Sequence, residues 1–160
     1  MRHLVIRYSI YLFTGFSAIF LVAYLFGIAE HHWLRALNGL VHITMLYWLV
    51  KQYRQAHPES VNNYLSGTSI GLIASTIGVS AFAAFVYVFL KLDRGFFNEI
   101  QAQVPMPEFF TPLSAIAQIG AEGVAVGLIV SYIMVRVVDS RYDHTPSEGK
   151  VSKSMPTVTD

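Results

Sequence analysis

Glu122 is the one acidic side chain set deep within a long apolar run, and polar residues on another run reach similar depths. Arg35, Asn38 and His42 are spaced by three and four, so on a helix they share a face. At 1.5 Å per residue Glu122 lies about 21 Å from Arg136, which closes its run. His42, Asn38 and Arg35 lie about 14, 20 and 24 Å from Lys51 by the same rise. Gln118, one turn from Glu122, extends that face outward, and Thr76 and Ser80 on a third run reach comparable depths. A charge near the bilayer centre costs about 2.5–3.5 kcal/mol on insertion scales, so such a residue usually finds a partner or a proton.

Three chemistries follow. Glu122 can be protonated, or paired with Arg35 or Asn38, and simply hold two helices together. It can bind a cation or carry a proton, with His42 as a relay that titrates near neutrality. The group can also line a pocket for a lipid or small ligand. Other chemistries lack residues. A haem between helices wants His ligands on facing helices, and only His42 is deep. His31 and His32 are adjacent, so on a helix they point about 100° apart and suit one metal poorly. There is no His-Glu-x-x-His, no Gly-x-Ser-x-Gly and no phosphate-cradling loop. The expectation is a protein that is not an enzyme and needs no cofactor or metal.

Four apolar stretches must position these residues: Tyr8–Ala29, Trp33–Val50, Thr68–Leu90 and Pro112–Val135. About 20 apolar residues cross a hydrocarbon core roughly 30 Å thick, and lipid leaves the backbone no hydrogen-bond partner except itself. Each stretch is therefore read as a transmembrane helix. The first is too long for a cleaved signal and runs on into Glu30-His31-His32, so it is read as retained. A β-barrel would alternate apolar and polar residues, whereas Ala81–Leu90 is unbroken. Expected connections are a tight turn around Glu30–His32, a polar loop over Gln52–Ser66 and a longer loop from Lys91 to Thr111. In that last loop Asp93 can cap a short helix carrying Phe96, Phe97 and Ile100 on one side, before Pro105, Pro107 and Pro112 forbid a longer one. Such a stub reads as a cover for the outer end of the bundle, or as a lid or docking surface.

Charge sets the orientation. Arg2, Arg7, Lys51, Arg54, Arg136, Arg141, Lys150 and Lys153 fall on one side, and only Arg35, Lys91 and Arg94 on the other. The positive-inside rule then places both termini in the cytoplasm. Small residues set the packing: Gly67, Gly71, Ser75 and Gly78 form a groove on the third helix, and Gly120, Gly123 and Gly127 one on the fourth. Either groove can serve a seam within the chain or a homodimer. Tyr24, Trp33, Tyr47, Trp48, Tyr53 and Tyr132 near helix ends read as an aromatic belt.

Composition agrees with a lipid solvent. Hydrophobic residues make up 54% of the 160 residues and charged ones 13%, too few charges to cover a soluble core. A net charge of +1 with no dense basic cluster gives no case for nucleic acid. The absence of cysteine excludes disulfides, thiolate metal sites and Cys nucleophiles. One domain is expected over residues 1–139, followed by a disordered cytoplasmic tail over 140–160 rich in Ser, Thr, Pro and mixed charge.

The segment Lys51-Gln52-Tyr53-Arg54, then Tyr64-Leu65-Ser66-Gly67-Thr68-Ser69-Ile70-Gly71, then Asp93 followed by Phe96-Phe97-Asn98-Glu99-Ile100, resembles the domain of unknown function 4199 family. These are small four-helix bacterial membrane proteins, and the resemblance covers most of residues 5–139. It implies the four-helix topology and a bacterial inner membrane, and it brings no activity or catalytic residue. The expectation is thus an all-α polytopic membrane protein, a four-helix bundle acting as a non-catalytic partner or scaffold subunit. Its partners would be the lipid bilayer and other membrane proteins or a second copy. The alternative is a small transporter or channel-like protein working through Glu122 and the polar face of the second helix.

Overall fold

A backbone amide facing hydrocarbon has no water to bond, so helix is the local solution for each apolar stretch. The computed structural model describes residues 2–27, 34–61 and 63–143, and side chains throughout these except at 34, 35, 142 and 143. Among the described residues the chain is all-helical, with α1 (Arg2–Leu25), α2 (Leu34–Ala56), α3 (Tyr64–Leu92), α4 (Arg94–Ala102) and α5 (Pro112–Asp143). Single 3₁₀ turns lie at Pro58–Ser60 and Pro107–Phe109. Three helices, α1, α3 and α5, are long and apolar enough to cross a membrane. Helix α2, at 23 residues, is about 35 Å long but more polar. Both α1 and α5 pack against α3, and α2 packs against all three. The beginnings of α1 and α3 and the ends of α2 and α5 thus share one end of the molecule, called here the basal end; α4 covers the other.

Local signals set the helix limits. Gly27, at φ 65°, adopts the left-handed conformation open to a residue without Cβ, just past the last turn of α1. Pro58 ends α2, because its ring and missing N–H forbid continuation. The Asn63 side chain caps α3 by accepting from the Ser66 amide. Asp93 alone separates α3 from α4; its Oδ1 accepts from the Phe96 amide at 3.0 Å. At α5, Thr111 and Ser114 cap reciprocally, amide to side chain, at 2.8 and 3.1 Å.

Several boundaries differ from those expected, and they differ mainly at the basal end. Helix α1 begins at Arg2 instead of Tyr8, α2 runs past Val50 to Ala56, α3 begins at Tyr64, and α5 runs past Val135 to Asp143. The loop expected over Gln52–Ser66 is therefore mostly helix and turn, and the tail expected from 140 is helical through Asp143. Hydropathy marks where lipid ends, not where the backbone ladder ends. Polar partners between neighbouring helices carry each ladder further. The turn around Glu30–His32 and the remainder of the tail, 144–160, lie outside the described residues, as does Trp33.

The small residues form a ladder between antiparallel α3 and α5. A Cβ on Gly67 would lie 2.7 Å from the Val135 side chain, and one on Gly71 would strike Ser131. One on Gly127 would strike Ser75, and one on Gly123 would lie 2.6 Å from Val79. Each rung sets a glycine of one helix against a larger side chain of the other, and successive rungs are four residues apart, so the two backbones approach closely. Gly78 departs from the expected groove and faces α1, where its Cβ would meet Leu12 and the Ser9 carbonyl. Ser9 Oγ bonds the Ala74 carbonyl at 3.0 Å across that same contact. Gly120 faces nothing within 4 Å and belongs to no seam.

Aromatic rings fill the α4 end. Phe20 meets Phe82, Phe85, Phe89 and Phe96 at centroid distances of 5.1 to 6.2 Å. Tyr24 joins this cluster and donates its hydroxyl to Asp93 Oδ2 at 2.6 Å. The expected stub, capped by Asp93, is present as α4, with Phe97 buried and Phe96 on the cluster. Of the expected belt, Trp48 and Tyr132 are exposed, whereas Tyr53 is buried with its ring tilted against His57.

Candidate functional site

The polar residues singled out from the sequence meet at one place. A cavity of about 500 Å³ lies among α1, α2, α3 and α5 in the half nearer α4. Asn38 and His42 line it from α2, and Gln118 and Glu122 from α5. Its remaining walls are apolar: Phe16, Phe20 and Ala23 from α1, Val79, Phe82 and Val86 from α3, and Ile119 and Val126 from α5. Ile100 of α4 with Gln103, Val104, Pro105 and Phe110 form the roof. The roof is stitched in place. Gln101 Nε2 donates to the carbonyls of Pro107 and Phe110 at 2.8 and 3.0 Å, and Phe97 stacks on Phe110 at 5.9 Å.

Helix geometry explains the convergence. Asn38 and His42 are four residues apart, as are Gln118 and Glu122, so each pair occupies one face of its helix. Contact between α2 and α5 turns those faces to a common space. His42 is 3% exposed, and its Nε2 shares a 2.7 Å hydrogen bond with Ser75 Oγ of α3. The sequence assigned Ser75 to packing alone; it serves both ends, since it also seats on Gly127. Asn38 Oδ1 is buried and has no hydrogen-bond partner among the described residues. Arg35 lies in the first turn of α2, but its side chain is outside the described residues. Thr76 and Ser80 do not line the cavity.

A second polar centre, at the basal end, is one that sequence reasoning missed. Arg54 is fully buried and grips Asp139, 2% exposed, through Nε–Oδ1 at 2.8 Å and Nη2–Oδ2 at 2.9 Å. Its Nη1 also donates to the Ser60 carbonyl and, at 3.0 Å, to Ser60 Oγ; its Nη2 donates to the Asn63 carbonyl at 3.2 Å. One guanidinium therefore ties α2, the Pro58–Ser60 turn, the α3 cap and α5 together. The planar fork of Arg makes this possible. One signal in the sequence could have found it. Asp139 sits in the last turns of a helix, where the macrodipole disfavours an acid, so it calls for a buried cation. Around this knot Arg7 donates to Gln52 at 3.4 Å, Arg136 to the Tyr64 hydroxyl at 2.7 Å and Arg141 to the Tyr47 hydroxyl at 3.0 Å.

Asp93 is the titratable group whose setting is best defined outside the long helices. The Phe96 amide and then the Tyr24 hydroxyl hold its carboxyl below the ordinary carboxylate range. Among the described residues, no group of three or more His, Cys, Asp or Glu side chains is placed to share a metal ion.

Comparison with protein-family models, curated proteins and solved structures returned no match. The resemblance to the domain of unknown function 4199 family thus gains no support and rests on the residues quoted for it. Three of those residues have structural work here: Arg54 in the basal knot, Tyr64 as the partner of Arg136, and Asp93 as the cap of α4.

Proposed function

We propose that this chain is a small, non-catalytic multi-pass protein of the bacterial inner membrane that holds a small apolar molecule in the cavity beneath α4. In this reading all four long helices cross the bilayer, with both termini cytoplasmic. The polarity of α2 supports it: Asn38 and His42, which lower its hydropathy, face the cavity instead of lipid. The basic side chains at the basal end, Arg7, Lys51, Arg136 and Arg141 among them, support the orientation.

The observation that carries the proposal is the convergence of Asn38, His42, Gln118 and Glu122 on one apolar-walled cavity. A few placed polar groups on apolar walls, at 300–1,000 Å³, is the usual build of a small-molecule site. Filling the cavity tests it. Val126→Trp should abolish co-purification of small molecules seen by native mass spectrometry of the wild type, while leaving the melting transition intact. Equal ligand content in both proteins overturns the proposal.

A second reading, ion or proton flux through Glu122, draws on the depth of Glu122 and His42 along one cavity. It requires the α3–α5 ladder and the Arg54 knot to part, because they fill the basal half. Glu122→Gln keeps the shape and removes the charge. Flux in reconstituted vesicles that the substitution leaves unchanged discards this reading, and with it the transporter alternative.

A further inference from the structure

We infer that the outward face of α2 at the basal end is a site for an anionic phospholipid, its phosphate held by Lys51 and Arg141 with Arg7 flanking, and an acyl chain lying along the helix. This rests on α2 crossing the bilayer, as proposed above, and is independent of what the cavity holds.

One side of this part of α2 is spent on the bundle: Leu46, Leu49, Val50 and Tyr53 are all buried. The other side carries Leu37, Leu40, Thr44, Trp48 and Lys51, spaced by three, four, four and three, so they form one stripe along the helix. Leu37, Leu40 and Trp48 are exposed on it. Both α1 and α5 pack beside α2, and each sends a cation to the basal end of the stripe. Arg141 Nη1 donates to the Tyr47 hydroxyl at 3.0 Å, and Arg7 Nη2 donates to Gln52 Oε1 at 3.4 Å. The Tyr47 and Trp48 rings meet edge to face at 5.9 Å, and Lys51 Nζ lies 5.0 Å from the centre of the Trp48 ring. Contacts thus run from Arg141 through Tyr47 and Trp48 to Lys51, with Gln52 and Arg7 on the far side.

Three cations around one patch make an anion the complementary group. The described acids of this end do not supply it: Asp139 is buried against Arg54, and Glu59 sits on the turn beyond the end of α2. A phosphate suits both the planar fork of Arg and the point charge of Lys. Its source is a lipid because the patch continues into an apolar track. From Trp48 to Leu37 is about 16 Å at 1.5 Å per residue, close to half of a hydrocarbon core roughly 30 Å thick. An acyl chain of one leaflet therefore fits the track, with Trp48 at headgroup level. Basic side chains beside a helix end are a general means of holding anionic headgroups.

The test uses the full chain with Trp33→Phe, which leaves Trp48 as the one indole, in vesicles mixing phosphatidylcholine and phosphatidylglycerol. Either lipid in turn carries bromine on its acyl chains, which quenches an indole on contact. Brominated phosphatidylglycerol should match the quenching by brominated phosphatidylcholine at about fivefold lower mole fraction, the ratio for one basic side chain acting on an anionic headgroup. Lys51→Gln and Arg141→Gln should each cut that ratio by half or more. Arg136→Gln removes the same charge beside Tyr64 of α3 and should leave the ratio intact. The unsubstituted chain, taken from an equimolar mixture into native mass spectrometry, should retain phosphatidylglycerol over phosphatidylcholine, which decides the matter even where a variant does not accumulate. Equal preference for the two lipids overturns the inference, as does an equal fall in Arg136→Gln, which traces the preference to net charge. A Trp48 quenched by aqueous iodide and by neither lipid removes α2 from the bilayer, and the span reading with it. A Trp48 reached by neither lipid nor iodide means that protein, a second copy included, covers this face, and it overturns the lipid site alone.

Discussion

Removing the carboxylate of Asp139 should cost about 3–5 kcal/mol, the range for stripping one partner from a buried ion pair. Asp139→Leu leaves the Arg54 charge buried, with the neutral oxygens of Ser60, Asn63 and Ser66 for company. Arg54→Met should cost at least as much, because it strands a buried carboxylate and takes one donor from each of the Ser60 and Asn63 carbonyls. The double variant is the informative one. Replacing an isolated buried ion pair by apolar residues is often neutral, or stabilising by about 1–4 kcal/mol. Here the guanidinium also donates to two backbone carbonyls, which keep the Asn63 amide and the Ser66 hydroxyl as donors but each lose one hydrogen bond, worth roughly 0.5–1.5 kcal/mol. The double variant should therefore remain about 1 kcal/mol or more below wild type. Reversible unfolding in mixed micelles, followed by far-ultraviolet circular dichroism, measures all four corners of the cycle. Proteolysis within residues 57–63 should rise in the Arg54 variants more than in Asp139→Leu. A double variant as stable as wild type would refute the view that Arg54 organises the turn as well as neutralising Asp139.

The α3–α5 ladder gives a graded set: Gly71→Leu and Gly123→Leu should each destabilise by about 1–3 kcal/mol through overpacking, whereas Gly120→Leu should be tolerated. Melting in detergent that ranks Gly120→Leu with the other two removes the ladder. The Asp93 carboxyl is held below its unfolded value, so its contribution is complete above the ordinary carboxylate pKa near 4 and is lost as pH falls through the lower, folded value. Amide exchange in α4 should thus accelerate on acidification below about pH 4, and Asp93→Asn, which retains a capping oxygen, should flatten that dependence. Reporter fusions at the two termini should report the same side of the membrane; opposite sides would remove α2 from the spans.

Much of the molecule was legible in the sequence because lipid imposes a one-dimensional rule. An apolar run of sufficient length must satisfy its own backbone, and that alone yields α1, α3 and α5 as candidate spans. Helical periodicity likewise put Asn38 with His42, and Gln118 with Glu122, on single faces, and a shared distance from the runs' ends made Asn38 and Glu122 level. Asp93 as a cap followed from its place before Phe96, Phe97 and Ile100. These are all local or axial properties, fixed by rise per residue and by residue type.

Rotation of one helix about its axis relative to another is not such a property, and it decided the rest. Gly78 was read with Gly71 because three and four residues both return to one face, yet packing turned Gly78 to α1 and Gly71 to α5. Ser75 became the partner of His42 only when α2 and α3 met. Arg54 and Asp139 stand at the edges of apolar runs, where charge ordinarily marks the headgroup zone, and 85 residues separate them. No local pattern encodes a contact at that separation. What brings them together is the association of α2 with α5, which removes both from water and pairs each with the other.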